Sequence, residues 1–161
     1  MTLPENRLKK TIRTWIILFI IGLVLSGITA FPIETQLAFG MDYLGFLPAT
    51  LQHFLQYIYE AVSTTNVHYP QLAYGTDWLA FAHLVIAVGF IGPLIDPVKN
   101  IWVIQFGMIA CAMVIPLALI AGPIRDIPWW WRMVDCSFGV LGIIPLYLCY
   151  RNIKKLAAVQ G

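Results

Sequence analysis

Apolar residues in this chain gather into four long blocks, the first and second separated by a long mixed segment and the others by short polar stretches, and each block has the length a bilayer demands. A hydrocarbon core about 30 Å thick needs roughly 17–25 consecutive, mostly apolar helical residues. Residues 14–31, 78–95, 101–122 and 133–150 meet this, and none of the four contains Lys or Arg. The pattern predicts four transmembrane helices. Local signals mark their ends: Pro32 follows the first, Thr76 and Asp77 offer a cap at the start of the second, Gly122 and Pro123 close the third, and Arg151 stops the fourth. Arg7, Lys9, Lys10 and Arg13 precede the first block as in a signal peptide, but its apolar run is too long and Ile28 stands where cleavage wants a small residue. It reads as a retained anchor.

The outer segment, residues 32–77, carries one amphipathic rhythm. From about Pro48 to Val62, Leu51, Phe54, Leu55, Ile58 and Val62 recur at helical spacing, while Gln52, Gln56, Tyr59 and Glu60 fall elsewhere. This predicts a helix lying on the outer membrane face or capping the bundle. It has no basic residue, so its apolar face must pack on protein or sink into the acyl boundary. Residues 63–74 read as turn and extended chain, with Thr64, Asn66, Pro70 and Gly75 as breakers.

Small residues at three- or four-residue spacing let helices approach closely in lipid: Gly22 and Ser26, Gly89 and Gly92, and Gly139 and Gly142. Pro93, Pro116 and Pro145 lie within or near the ends of spans, where a kink either serves packing or opens a cavity. Trp15, Trp78, Trp102 and the run Trp129 to Trp131 fall at the predicted interfaces, as an aromatic belt should. The expected fold is all-α, a single integral membrane domain over residues 1–161. It is a four-helix bundle with an amphipathic outer helix between spans one and two.

Composition sharpens this picture. Of 161 residues, 60% are hydrophobic and 11% charged, against roughly 45–50% and about 25% in a soluble domain. A soluble globule is excluded. A net charge of +2 with no phosphate-cradling or base-reading motif excludes nucleic acid as a partner. Eight of the ten basic residues lie before the first span, at Lys99 or after the fourth span; only Arg125 and Arg132 fall on the other side. By the positive-inside rule both termini are cytoplasmic. Cys111, Cys136 and Cys149 lie in apolar stretches with neither CxxC nor zinc-ligand spacing, and read as small core residues.

An ionisable group inside a span costs about 2.5–3.5 kcal/mol on insertion scales, so each such group is a site candidate. His83 lies about two turns into the second span and Asp135 near the outer end of the fourth. Glu34, Asp77 and Arg132 would ring the same outer mouth, with Glu60 and His53 on a shared face of the amphipathic helix laid over it. Such a group of carboxylates and imidazoles binds the polar end of a hydrophobic ligand and suits proton transfer on a lipid-like substrate. Plainer roles stand beside this. Arg132 and Asp135, one turn apart, also read as an interfacial ion pair, Asp77 as a helix-start acid, His83 as a hydrogen-bonded packing residue, and Glu60 and His53 as a solvated face. Haem lacks a second span histidine and no HExxH or comparable metal spacing occurs, so no metal or other cofactor is expected.

The layout resembles the emopamil-binding-protein (EXPERA) superfamily of small membrane proteins. The likeness lies in the span count, the cytoplasmic ends, the acid Glu34 opening a long outer segment, the phrase Phe81 to Ala87 (FAHLVIA) and Ile115-Pro116. It implies a small-lipid pocket opening between helices. The stretch from Tyr74 to Gly122 is also similar to small bacterial polytopic membrane proteins, which implies the bacterial inner (cytoplasmic) membrane. Two functions follow as expectations: binding of a hydrophobic or lipid-like ligand near the outer face, with membrane lipid and a hydrophobic small molecule as partners; or a non-catalytic accessory subunit that packs against a larger membrane-protein complex or a second copy of itself.

Overall fold

The computed structural model describes residues 3–41 and 43–160, and among these no strand occurs. The elements are α1 (Leu3–Ala30), α2 (Ile33–Met41), a 3₁₀ turn (Leu44–Phe46), α3 (Ala49–His68), α4 (Pro70–Gly89), α5 (Ile91–Ile95), α6 (Ile101–Ile124) and α7 (Trp129–Gln160). Four helical stretches are long and apolar enough to cross a membrane: Glu5–Ala30, Pro70–Ile95, Ile101–Ile124 and Trp129–Gln160. Their outward surface is that of a protein solvated by lipid, with Leu18, Val88, Leu117, Phe138 and Leu141 all more than half exposed. The chain is an all-helical, multi-pass membrane protein.

The four apolar blocks are helical as expected, and most differences lie at their ends. α1 starts well before Thr14 and α7 runs past Arg151 to Gln160. Charged residues end a span but do not end a helix, since Arg and Lys are good helix formers once the chain is in water. α4 begins at Pro70, so Thr76 and Asp77 lie in its body and cap nothing. The extended character expected for residues 63–74 is absent: α3 continues to His68, and Tyr69 alone separates it from α4. Pro70 sits at the first helical position, where its missing N–H is no loss. α2 is a further helix that periodicity did not reveal.

Prolines and polar caps set the breaks. Pro93 has no N–H for the Gly89 carbonyl, and the chain turns at Phe90 between α4 and α5. In the turn before α6, the Asn100 side-chain amide donates to the carbonyls of Gly92 (3.1 Å) and Asp96 (2.9 Å). α6 runs through Pro116 and Pro123 and ends where Asp126 adopts φ 54°, so that the Ile127 N–H reaches back to the Gly122 carbonyl at 2.9 Å. An aspartate tolerates this left-handed position, which satisfies a carbonyl that lipid cannot.

The described residues gather into two compact units. One contains residues 3–22 and 87–160, the other residues 23–41 and 43–86. In the first, α6 and α7 share a seam. On α7 the protein-facing positions are Gly139, Gly142, Leu146, Cys149, Ile153 and Leu156; on α6 they are Ile104, Gly107, Cys111 and Val114, all buried or half-buried. Both sets alternate steps of three and four, the spacing of a left-handed coiled pair. At its centre a Cβ on Gly139 would stand 2.5 Å from the Cys111 carbonyl oxygen, and one on Gly142 2.7 Å from Cys111 Sγ. α1 adds its Ile12 and Ile16 face, both fully buried, and Phe19, which meets Phe90 at 4.7 Å between ring centroids.

In the second unit, α1 and α4 meet where Gly27 faces the Ala80 carbonyl oxygen, 2.9 Å from the place a Cβ would take. The close approach is therefore at Gly27. Gly22 and Gly89, expected as contact points, have open space where a Cβ would be, and Gly92 touches only the Asn100 side chain. The predicted apolar face of α3, formed by Leu51, Phe54, Leu55, Ile58 and Val62, is half-buried throughout.

Gly139→Ala is expected to lower stability by about 1–3 kcal/mol, because α6 and α7 must part to admit a methyl group. Gly22→Ala is expected to be neutral or to stabilise by up to about 1 kcal/mol through helix propensity. Thermal unfolding of both variants in detergent checks the contrast.

Candidate functional site

Most of the candidate polar residues fall in the second unit, and α4 shows why two of them stand apart. Along α4 the buried and half-buried positions are Ala73, Asp77, Ala80, His83, Leu84 and Ala87; every other position is exposed. That is one helical stripe, with His83 at its edge. Asp77 and His83 thus belong to the protein-facing side of a helix whose lipid side carries Trp78, Leu79, Val85 and Val88. Because α4 starts at Pro70, His83 lies almost four turns in, about 20 Å from the helix start. The expected two turns count from a helix start near Thr76, and the longer α4 adds the turns from Pro70.

His83 Nδ1 lies 2.9 Å from the Leu79 carbonyl oxygen. A carbonyl only accepts, so Nδ1 carries the proton of that contact, and Nε2 has no partner among the described residues. Asp77 has no hydrogen bond or ion pair among the described residues, and it is half-buried. Its neighbour Thr76 is occupied, donating to the Ala73 carbonyl at 2.6 Å. A half-buried carboxylate without a donor needs water or a ligand to solvate it.

Glu34, in the first turn of α2, accepts a short hydrogen bond from the Asn66 side-chain amide of α3. Gln36 of α2 donates to the Thr29 carbonyl of α1 at 2.9 Å. These two bonds hold α2 between its neighbours, and Glu34 is half-buried there. Asn66 is a partner that sequence reasoning missed, because it was counted as a helix breaker. Read instead as part of a helix continuing from Val62, it falls one turn beyond the apolar face.

The remaining candidates separate from this group. His53 and Glu60 share a face of α3, as their spacing requires, but both are exposed and that face lies opposite the half-buried one. Glu60 accepts from Gln56 Nε2 at 3.2 Å. Asp135 and Arg132 belong to the other unit. They do not form the ion pair expected of them: among the described residues the pairs are Lys9 with Glu5 and Lys99 with Asp96. Instead the Arg132 stem crosses Gly122, where a Cβ would collide with its Cδ, and its Nε is buried without a partner. Gly122 is thus a place for the arginine stem more than a helix stop. Among the described residues no three His, Cys, Asp or Glu come together as a metal set, and all three cysteines are free.

Asn66→Leu is expected to free the Glu34 carboxylate and to weaken the α2–α3 contact by about 1 kcal/mol. The readout is faster amide hydrogen exchange in residues 33–41, with exchange in residues 101–124 unchanged.

No protein family, curated protein or solved structure matches the chain.

Proposed function

We propose that the protein binds a hydrophobic ligand with a polar end, held against α4 by Asp77 and His83, with Glu34 nearby. The observation that carries this is the unpartnered, half-buried Asp77 carboxylate on the same protein-facing stripe as an imidazole whose Nε2 is free. An apolar helix that keeps two ionisable groups on its protein-facing side holds polar capacity there that a polar ligand group satisfies. With α1 running outward and α4 inward from their Gly27–Ala80 contact, the end of α1 at Ala30 comes level with Asp77, about 5 Å along the axis. Glu34 follows one turn later. Six residues apart, Asp77 and His83 lie about 9 Å from each other along the helix, so each engages a different polar atom of the ligand head, the carboxylate as acceptor and the imidazole as the proton-transfer group.

The proposal includes a setting. The helices form a bundle in the inner membrane of a bacterium, both termini are cytoplasmic, and α2 and α3 lie on the outer side. Supporting this, the two chain ends meet in one place: Gln160 Nε2 donates to Glu5 Oε1 at 2.9 Å.

Two experiments test these points. The protein purified in mild detergent and extracted into organic solvent is expected to release one lipid-like species by mass spectrometry. Asp77→Asn and His83→Ala should each reduce it about tenfold, the worth of one charge-assisted hydrogen bond, with helix content unchanged. Full retention in both variants, or no such species from the unmodified protein, overturns the proposal and favours an accessory subunit. For topology, His53→Cys is expected to react with a membrane-impermeant maleimide in intact cells and Lys155→Cys to stay protected; the reverse pattern inverts the orientation.

A further inference from the structure

A second polar feature lies in the other unit and owes nothing to the residues above. The N-terminal turns of α1, the chain around Asp96 and the last turns of α7 enclose a cleft of about 380 Å³. Its polar wall carries Lys9, Arg13 and Asp96, and its apolar wall includes Leu94, Val98 and Leu156. All lie at the ends of membrane-crossing helices, so the cleft opens at the level where lipid headgroups sit.

The charges around it are unequal. Lys9 Nζ pairs with Glu5 Oε1 at 3.0 Å, and that carboxylate also takes the Gln160 amide. Asp96 is engaged by Lys99, through its ammonium at 3.7 Å and its backbone N–H at 3.1 Å. Each acid is thus held by a cation of its own, and Arg13 is left exposed with no ion pair among the described residues. Arg7, Lys10, Lys154 and Lys155 on the same two helix ends are exposed as well. The guanidinium presents a planar fork of donors suited to two oxygens of one phosphate, and the apolar wall beside it suits the glycerol and upper acyl carbons that a free ion lacks.

We propose that this cleft binds the phosphate of an anionic phospholipid, with Arg13 as its principal ligand and Lys9 beside it. Occupancy would tie α1 to α7 and to the turn before α6 through one headgroup. Such a site draws on the acidic lipids of the cytoplasmic leaflet.

Native mass spectrometry of the full chain in detergent, titrated with phosphatidylglycerol, phosphatidylcholine or inorganic phosphate, tests it. Phosphatidylglycerol is expected to bind at one high-affinity site, and Arg13→Gln to weaken it about fivefold, the worth of one cation near an anionic surface. Arg13→Lys should restore part of the affinity, and Arg125→Gln, which removes a cation outside the cleft, should change nothing. Equal loss in Arg13→Gln and Arg125→Gln, no loss in either, or equal affinity for phosphatidylcholine overturns the proposal. Inorganic phosphate that competes at the lipid's own concentration overturns the lipid as the occupant. An unchanged melting temperature of Arg13→Gln without lipid separates lost binding from lost fold.

Discussion

Lipid tails solvate leucine as well as another leucine does, so apolar side chains alone give two membrane helices no reason to associate. What draws them together is close contact, and here that contact is made by missing side chains. The Cys111 carbonyl lies in the space a Cβ on Gly139 would occupy, and its sulfur in the space beside Gly142. At Gly139 the two backbones come close enough for the van der Waals contact that holds helices together in lipid. Leu146, Cys149, Ile153 and Leu156 continue the same alternation toward the C-terminus, and all are buried. The seam in turn supplies the groove that Phe19 enters beside Gly142, at 3.7 Å from where a Cβ would stand. Further along α7, Cys149 lies against the Ile12 carbonyl of α1, and Gln160 bonds to Glu5.

The second constraint is that every backbone group in hydrocarbon needs a partner, which decides where the chain can turn. The turn before α6 is built from Asn100, whose one amide nitrogen adds a second donor to the Gly92 and Asp96 carbonyls, which also accept the backbone N–H groups of Asp96 and Asn100. The turn after α6 is built from the left-handed backbone of Asp126. In the first a side chain, and in the second the Ile127 N–H, does for a helix-end carbonyl what water does at a soluble helix end. Their position at the ends of the apolar runs keeps the helices at membrane length, and the short α5 is the consequence of Pro93 arriving shortly before the chain leaves the span.

Hydropathy made the four membrane helices visible because an uninterrupted apolar run of roughly 18 residues is too long for the core of a small domain and matches the thickness of a bilayer. The apolar face of α3 was equally visible, since Leu51 to Val62 alternates with Gln and Glu. The seam of α7 was not: Leu, Val and Ile occupy its lipid face too, so nothing in the residue types separates Leu146, fully buried, from Leu141, 62% exposed. Only glycine marks the seam, and glycine is ambiguous. Gly22 and Gly89 have the same spacing as Gly139 yet face open space, because whether a small residue is a contact depends on what the neighbouring helix brings to it. Propensity misled in the other direction at Thr64, Asn66 and Gly75. These disfavour a helix, but propensity is a weak prior that neighbouring contacts override, and here α3 and α4 carry all three in helix. The helix that resulted put Asn66 on Glu34 and carried Asp77 into the body of α4.

Polar side chains in this protein therefore fall into two groups by what satisfies them. Asn100, Gln36, Thr76 and Asn66 bond to a backbone carbonyl or a neighbouring side chain, and their chemistry is used up in holding the fold. Asp77, the Nε2 of His83 and the guanidinium of Arg13 are different, for each keeps its strongest hydrogen-bonding capacity unspent at a half-buried position or in a cleft. A carboxylate with no donor is the costliest of these, since water reaches a protein-facing stripe only through whatever space the helices leave. A chain with 11% charged residues places few such groups anywhere. Asp77, His83 and Arg13 are therefore the groups on which the proposed ligand and phospholipid sites rest, because the fold leaves them hydrogen-bonding capacity that Asn66 and Asn100 have spent.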